Sequence, residues 1–124
     1  MVYRFEIGLK SGVPDARGRS VLDRADRALG LSMEKCRTRD AYKATAHLSD
    51  AEADRVMDVF TDAVVAESAR GRMAMAEAFT WCLEISYKAG VTDNVGRTAR
   101  GSLQDLLGRE LAWEEQVYTS IQYF

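Results

Sequence analysis

Residues 5–20 read FEIGLKSGVPDARGRS, and residues 83–98 read LEISYKAGVTDNVGRT. The two stretches stand 78 positions apart, and eight of their sixteen positions are identical, where background composition would produce about one. The identical pairs are Glu6/Glu84, Ile7/Ile85, Lys10/Lys88, Gly12/Gly90, Val13/Val91, Asp15/Asp93, Gly18/Gly96 and Arg19/Arg97. Leu29-Gly30 then matches Leu107-Gly108 at the same spacing. Self-similarity of this kind decides the architecture before any single element is considered. The chain carries one unit twice.

Each copy opens on alternation. Tyr3, Phe5, Ile7 and Leu9 alternate with Arg4, Glu6 and Gly8; Phe79, Trp81, Leu83, Ile85 and Tyr87 alternate with Thr80, Cys82, Glu84 and Ser86. A period of two with branched and aromatic residues on one side predicts a half-buried strand. Gly12 and Gly90 end each strand in a turn. Asp15 and Asp93 are placed to cap the helices that follow, because a short carboxylate accepts from the orphan N–H groups of a first turn. Val21, Leu22, Ala25, Ala28 and Leu29 form one apolar helix face, and Val95, Ala99, Leu103, Leu106 and Leu107 the other. Gly30 and Gly108 suit the left-handed position after a helix. Gly18 and Gly96 fall inside first helical turns, where glycine costs roughly 1 kcal/mol against alanine. Their recurrence predicts a close backbone approach.

Between the copies, Cys36–Leu48 reads as a second strand with Tyr42 and Ala44 on one side. Ser49-Asp50-Ala51-Glu52 is a capping box opening a helix with Ala53, Val56, Met57 and Phe60 on its apolar face. Val64-Val65 predicts a short strand within 63–67. The reading is α+β: a β-α-β-α-β unit over 1–68, a connector over 69–77, and a partial β-α-β unit over 78–124. The whole forms one domain, 1–124, with an antiparallel sheet and helices packed on one face. Pro14, the single proline, falls in a turn and in no predicted strand. The second copy's later strand, 116–124, has no helix and strand after it. An unfinished unit leaves a sheet edge or apolar face open. The chain is therefore expected to be part of something longer or to complete its core with another chain.

Composition narrows the function classes. The chain has 124 residues, 47% of them hydrophobic, enough for one core. Seventeen basic and nineteen acidic residues leave a net charge of −2, with no field to draw nucleic acid or an anionic membrane. Neither a membrane span nor a secretory leader is evident. Cys36 and Cys82 have no ligand-like spacing, which predicts reduced thiols in a cytoplasmic protein.

The repeated Gly-Val-x-Asp-x-x-Gly-Arg after a strand ending in Leu-Lys resembles the PurS-type small subunit of phosphoribosylformylglycinamidine synthase. The second copy, residues 88–99, and the ending VYTSIQYF, residues 117–124, resemble the corresponding parts of single-chain synthases. The N-terminal domain of those synthases is similar to two PurS subunits fused head to tail. The resemblance covers nearly the whole chain and is weakest in the connector. It implies a PurS-like tandem repeat in the ATP- and glutamine-dependent ligase of purine biosynthesis. The full enzyme converts formylglycinamide ribonucleotide to the amidine. The implied role is non-catalytic: an interface domain that helps guide ammonia between active sites. Its implied partners are the synthetase catalytic domains and a PurQ-like glutaminase domain or subunit. A homodimer through sheet pairing is left open. ATP and magnesium belong to the full synthase; this chain carries no catalytic, cofactor-binding or metal residues of its own. Such a relay needs a packed, water-excluding interface rather than another catalyst.

Individual residues are weighed against structural roles. Cys36 and Cys82 lack an activating neighbour, so packing is preferred to nucleophilic catalysis. His47 precedes a helix cap and reads as a surface residue. Gly12–Asp15 and Gly90–Asp93 precede helix N-termini as phosphate loops do, but each aspartate occupies the anion's place. Gly12, Asp15, Gly18, Gly90, Asp93 and Gly96 are therefore read as turn and cap residues. Lys10, Arg19, Lys88, Arg97 and Arg100 are candidate interface residues. Met73 and Met75 suit either a contact surface or packing. Trp81 and Trp113 are expected in the core. A small-molecule module holding amino acids beside the repeated turns is the rival function. An RNA-binding sheet is disfavoured, because its aromatics would need to be exposed beside basic groups.

Overall fold

The computed structural model describes every residue except Met1, Ala76, Glu77 and Ala89. The end of the expected connector 69–77 and one motif position, Ala89, thus lie outside the described residues. In chain order the elements are β1 (Tyr3–Leu9), α1 (Ala16–Leu29), β2 (Thr38–Ala44), α2 (Asp50–Phe60), β3 (Ala66–Arg70), β4 (Leu83–Ser86), α3 (Asn94–Leu107) and β5 (Val117–Tyr123). The strands form one antiparallel sheet in the order β3-β1-β2-β5-β4. The class is α+β.

The caps set the helix bounds. Asp15 and Asp93 accept from the N–H of Gly18 and Gly96 at 2.8 and 2.7 Å. Ser49 and Glu52 close their capping box with reciprocal bonds of 3.1 and 2.9 Å. Gly30 and Gly108 take left-handed φ values of 64° and 66°, a region closed to most side-chain-bearing residues.

One sheet face carries the core. Phe5, Ala44 and Val117 pack with Ala46, Ala53, Val56, Ala99, Leu103 and Leu111, flanked by Tyr42, Met57 and Phe60. Phe60 meets Phe5 edge-on with centroids 6.5 Å apart and lies 4.8 Å from the Tyr42 ring. The helix α1 reaches the same face further along the sheet, where Arg17 donates to Thr38 Oγ1 and Asp40 at 3.0 and 2.9 Å.

Four expectations need correction. The strand after α2 is Ala66–Arg70, not Val64-Val65. Val64 is exposed in the turn, where Val64 and Val65 N–H groups bond back to Asp62. The strand β2 ends at Ala44 rather than Leu48: Thr45 N–H still bonds the Gln116 carbonyl, but the returning Gln116 N–H goes to Thr45 Oγ1, whose hydroxyl donates to the Glu114 carbonyl, and the ladder stops there. The strand β4 is four residues long, so Phe79, Trp81 and Tyr87 fall outside it. Trp81 and Trp113 are both largely exposed, not core anchors, and Cys82 is exposed as well.

Candidate functional site: matched latches and a charged sheet face

The repeated motif builds the same device twice. Asp15 caps α1 and also accepts from Thr38 N–H at 2.7 Å and Thr38 Oγ1 at 3.0 Å. Asp93 caps α3 and accepts from Thr119 N–H at 2.7 Å and Thr119 Oγ1 at 2.8 Å. Each aspartate therefore latches a helix start to the strand beneath it. The latch requires the helix to sit on the strand's backbone. A Cβ on Gly18 would collide with the Cys36 carbonyl oxygen, and one on Gly96 with that of Val117. The recurring glycines thus mark a close approach, as expected. The threonines were missed, because the second copy takes eleven steps from Gly108 to Thr119 where the first takes eight from Gly30 to Thr38. That difference puts them out of step with the 78-residue spacing.

Pairing follows the same correspondence. Phe5↔Tyr42, Glu6↔Ala41, Ile7↔Asp40 and Gly8↔Arg39 in β1–β2 become Leu83↔Tyr123, Glu84↔Gln122, Ile85↔Ile121 and Ser86↔Ser120 in β4–β5. The two halves meet along β2–β5, where Asp40 faces Ile121. The pairs Thr38↔Tyr123 and Tyr42↔Thr119 lie symmetrically about that point. A half-turn through the Asp40–Ile121 pair exchanges the strands of one half with those of the other.

The sheet face away from the core is charged. Glu6 is 1% exposed. It accepts from Arg4 Nε at 2.8 Å, from Gln122 Nε2 at 3.1 Å and from the Met73 N–H at 2.8 Å. The same Arg4 holds Glu84 bidentately at 3.0 and 3.1 Å, so one guanidinium joins the two equivalent glutamates across the sheet. The small, fully buried Ala41 lies between β1 and β5 and leaves room for this crossing. Hydrogen bonds from Arg4, Ser120 and Gln122 overcome partial desolvation and hold the Glu84 carboxyl at about 2, well below its ordinary value near 4.5. Arg39 donates to the Met73 and Ala74 carbonyls and stacks its cation 5.1 Å from the Phe124 ring. Met73 therefore serves this face through its backbone.

A second ion pair fixes the loop before β5. The carboxylate of Glu115 is buried and accepts from Arg109, His47 N–H and Ala112 N–H at 3.0–3.1 Å, so that it too titrates at about 2. His47 itself is exposed.

The candidate interface residues separate. Arg100 donates to the carbonyls of Leu111, Ala112 and Glu115 and is committed to the same loop. Lys10 donates to the Ala63 carbonyl at 2.6 Å, clamping the α2–β3 loop. Arg19, Lys88 and Arg97 are exposed. Lys88 and Arg97 join Lys43 around a cleft of about 700 Å³ beside the Gly90–Asp93 turn. The matching hollow beside Gly12–Pro14 is about 270 Å³. There Arg37 bonds the Val13, Leu9 and Lys10 carbonyls, whereas its counterpart in the second half is Tyr118. Cys36 is buried, and desolvation pushes its thiol upward, against nucleophilic use. Among the described residues no group of three or more His, Cys, Asp or Glu side chains is placed to hold a metal. No described helix is long and apolar enough to cross a membrane. Compared with known proteins, the chain matches no family, no curated protein and no solved structure.

Proposed function

We propose that this chain is a PurS-like interface domain of phosphoribosylformylglycinamidine synthase, acting without catalytic residues of its own in a cytoplasmic complex. The observation that carries the reading is the matched pair of latches. Asp15 and Asp93, the most chemically capable residues of the repeated motif, are each held by a glycine N–H and by the N–H and hydroxyl of a threonine. A carboxylate so held is a fastener, not a free base or ligand. The motif thus supports a scaffold built from two like halves, which is what the resemblance in residues 88–99 and 117–124 implies. The partners are the ATP- and magnesium-dependent synthetase domains and a glutaminase, with ammonia guided along the interface between them.

The test is association. The purified chain should bind a synthetase or glutaminase partner in sedimentation or calorimetry and show no ligase activity alone. Failure to bind either would end this reading. A selective thermal shift with a free amino acid would instead favour the small-molecule rival, whose ligand would have the cleft at Lys43, Lys88 and Arg97 to occupy.

A further inference from the structure

Equivalent residues in the two halves have opposite exposure. Phe5 and Ile7 on β1 are 0% and 7% exposed, while their counterparts Leu83 and Ile85 on β4 are 59% and 60% exposed. The α3 residue Leu107 packs against the core, while its counterpart Leu29 on α1 is 71% exposed. The local folds match, so the difference lies in what covers them. In the first half, β3 pairs with the outer edge of β1 through Phe5↔Arg70 to Leu9↔Ala66, and α2 lays Ala53, Val56 and Phe60 over Phe5. Among the described residues nothing pairs with the outer edge of β4.

Lys88 is an independent indicator. Its counterpart Lys10 donates its backbone N–H to Val65 and its ammonium to Ala63, at 2.8 and 2.6 Å, both in the loop joining α2 to β3. The identical lysine is present in the second half, exposed beside the same turn. A row of unpaired strand groups, an apolar strip and an unused clamp therefore coincide.

We propose that β4 and α1 form a docking site for a helix–strand segment of the α2–β3 kind. The segment is a capped amphipathic helix of about three turns, sized on the eleven residues of α2. A short loop presenting two carbonyls to Lys88 follows, and then a strand running antiparallel to β4. The helix covers Leu29, Leu83 and Ile85, and the strand becomes the sixth of the sheet. The segment adds main-chain bonds at the edge and side-chain pockets on the face, the physics of strand addition. This inference rests on the internal correspondence, not on the synthase reading. Failure of one leaves the other standing.

A synthetic peptide of residues 49–70 is the probe, added to isotope-labelled protein. The same segment fused after Phe124 through a flexible Gly/Ser linker raises its effective concentration to roughly millimolar. Binding should shift the Leu29, Leu83 and Ile85 methyl signals and slow amide exchange along Leu83–Ser86 at least tenfold. Ile85→Asp, at an exposed position, should leave the fold intact and abolish both effects, and Lys88→Ala should weaken the peptide several-fold. A peptide bearing Val56→Asp and Phe60→Asp should be inert. No change in either format would overturn the proposal. So would shifts confined to the first half, or self-association of the unmodified protein that Ile85→Asp abolishes.

Discussion

Gly18 and Gly96 show how far one missing methyl group reaches. Gly18 lets a helix rest on the Cys36 carbonyl just before β2, Gly96 on the Val117 carbonyl at the start of β5, and the latching aspartate then spans helix and strand. Gly18→Ala or Gly96→Ala forces that contact apart, and each should cost about 1–3 kcal/mol in urea unfolding. Gly101 is the control: a Cβ there meets nothing within 4 Å, so Gly101→Ala should be neutral or stabilise by up to about 1 kcal/mol through helix propensity. The two depressed carboxylates make a pH prediction. Glu84 and Glu115 both titrate near 2 when folded, against an ordinary value near 4.5. Their stabilisation is therefore present in full above about 4.5 and is lost as pH falls toward 2. Denaturation midpoints should drop across that window, and Arg4→Ala and Arg109→Ala should each flatten the drop. An unchanged slope in both variants would show that these pairs do not govern it.

At the scale of elements, α1 and α3 have the same cap, length and left-handed stop, yet they are held differently. The helix α3 buries Gly96, Ala99 and Leu103 and meets α2, whereas α1 fully buries only Gly18. Amides of α1 should therefore exchange with solvent faster than those of α3 by hydrogen-exchange mass spectrometry, since local opening follows buried apolar contact. Likewise Leu103→Ala should cost about 2–5 kcal/mol by opening a core cavity, while Leu29→Ala should stay within about 0.5 kcal/mol, as expected at an exposed site. Helix starts were legible because capping is local: Asp15, Ser49 and Asp93 all cap as their spacing implied. Strand bounds were less so. Val64-Val65 has strand-like residues, but the Asp62 turn takes their N–H groups, and Ala66–Arg70 pairs with β1 instead.

For the whole molecule, two strand–turn–helix halves meet along β2–β5, with Arg4 tying Glu6 to Glu84 on the polar side. That bond joins residues from the two halves, so Arg4→Ala should also lower the cooperativity of unfolding, read as a smaller m-value than wild type. The recurring motif, the caps, the turn glycines and the α+β class could all be read from the linear chain, because each depends on contacts a few residues apart or on an internal comparison. The threonine latches, the strand order β3-β1-β2-β5-β4, the exposure of Trp81 and Trp113, and the bare face of β4 could not. Alternation assigns a residue to a side of a strand. Which strand lies beside it, and whether anything covers that side, is set by packing between segments distant in sequence.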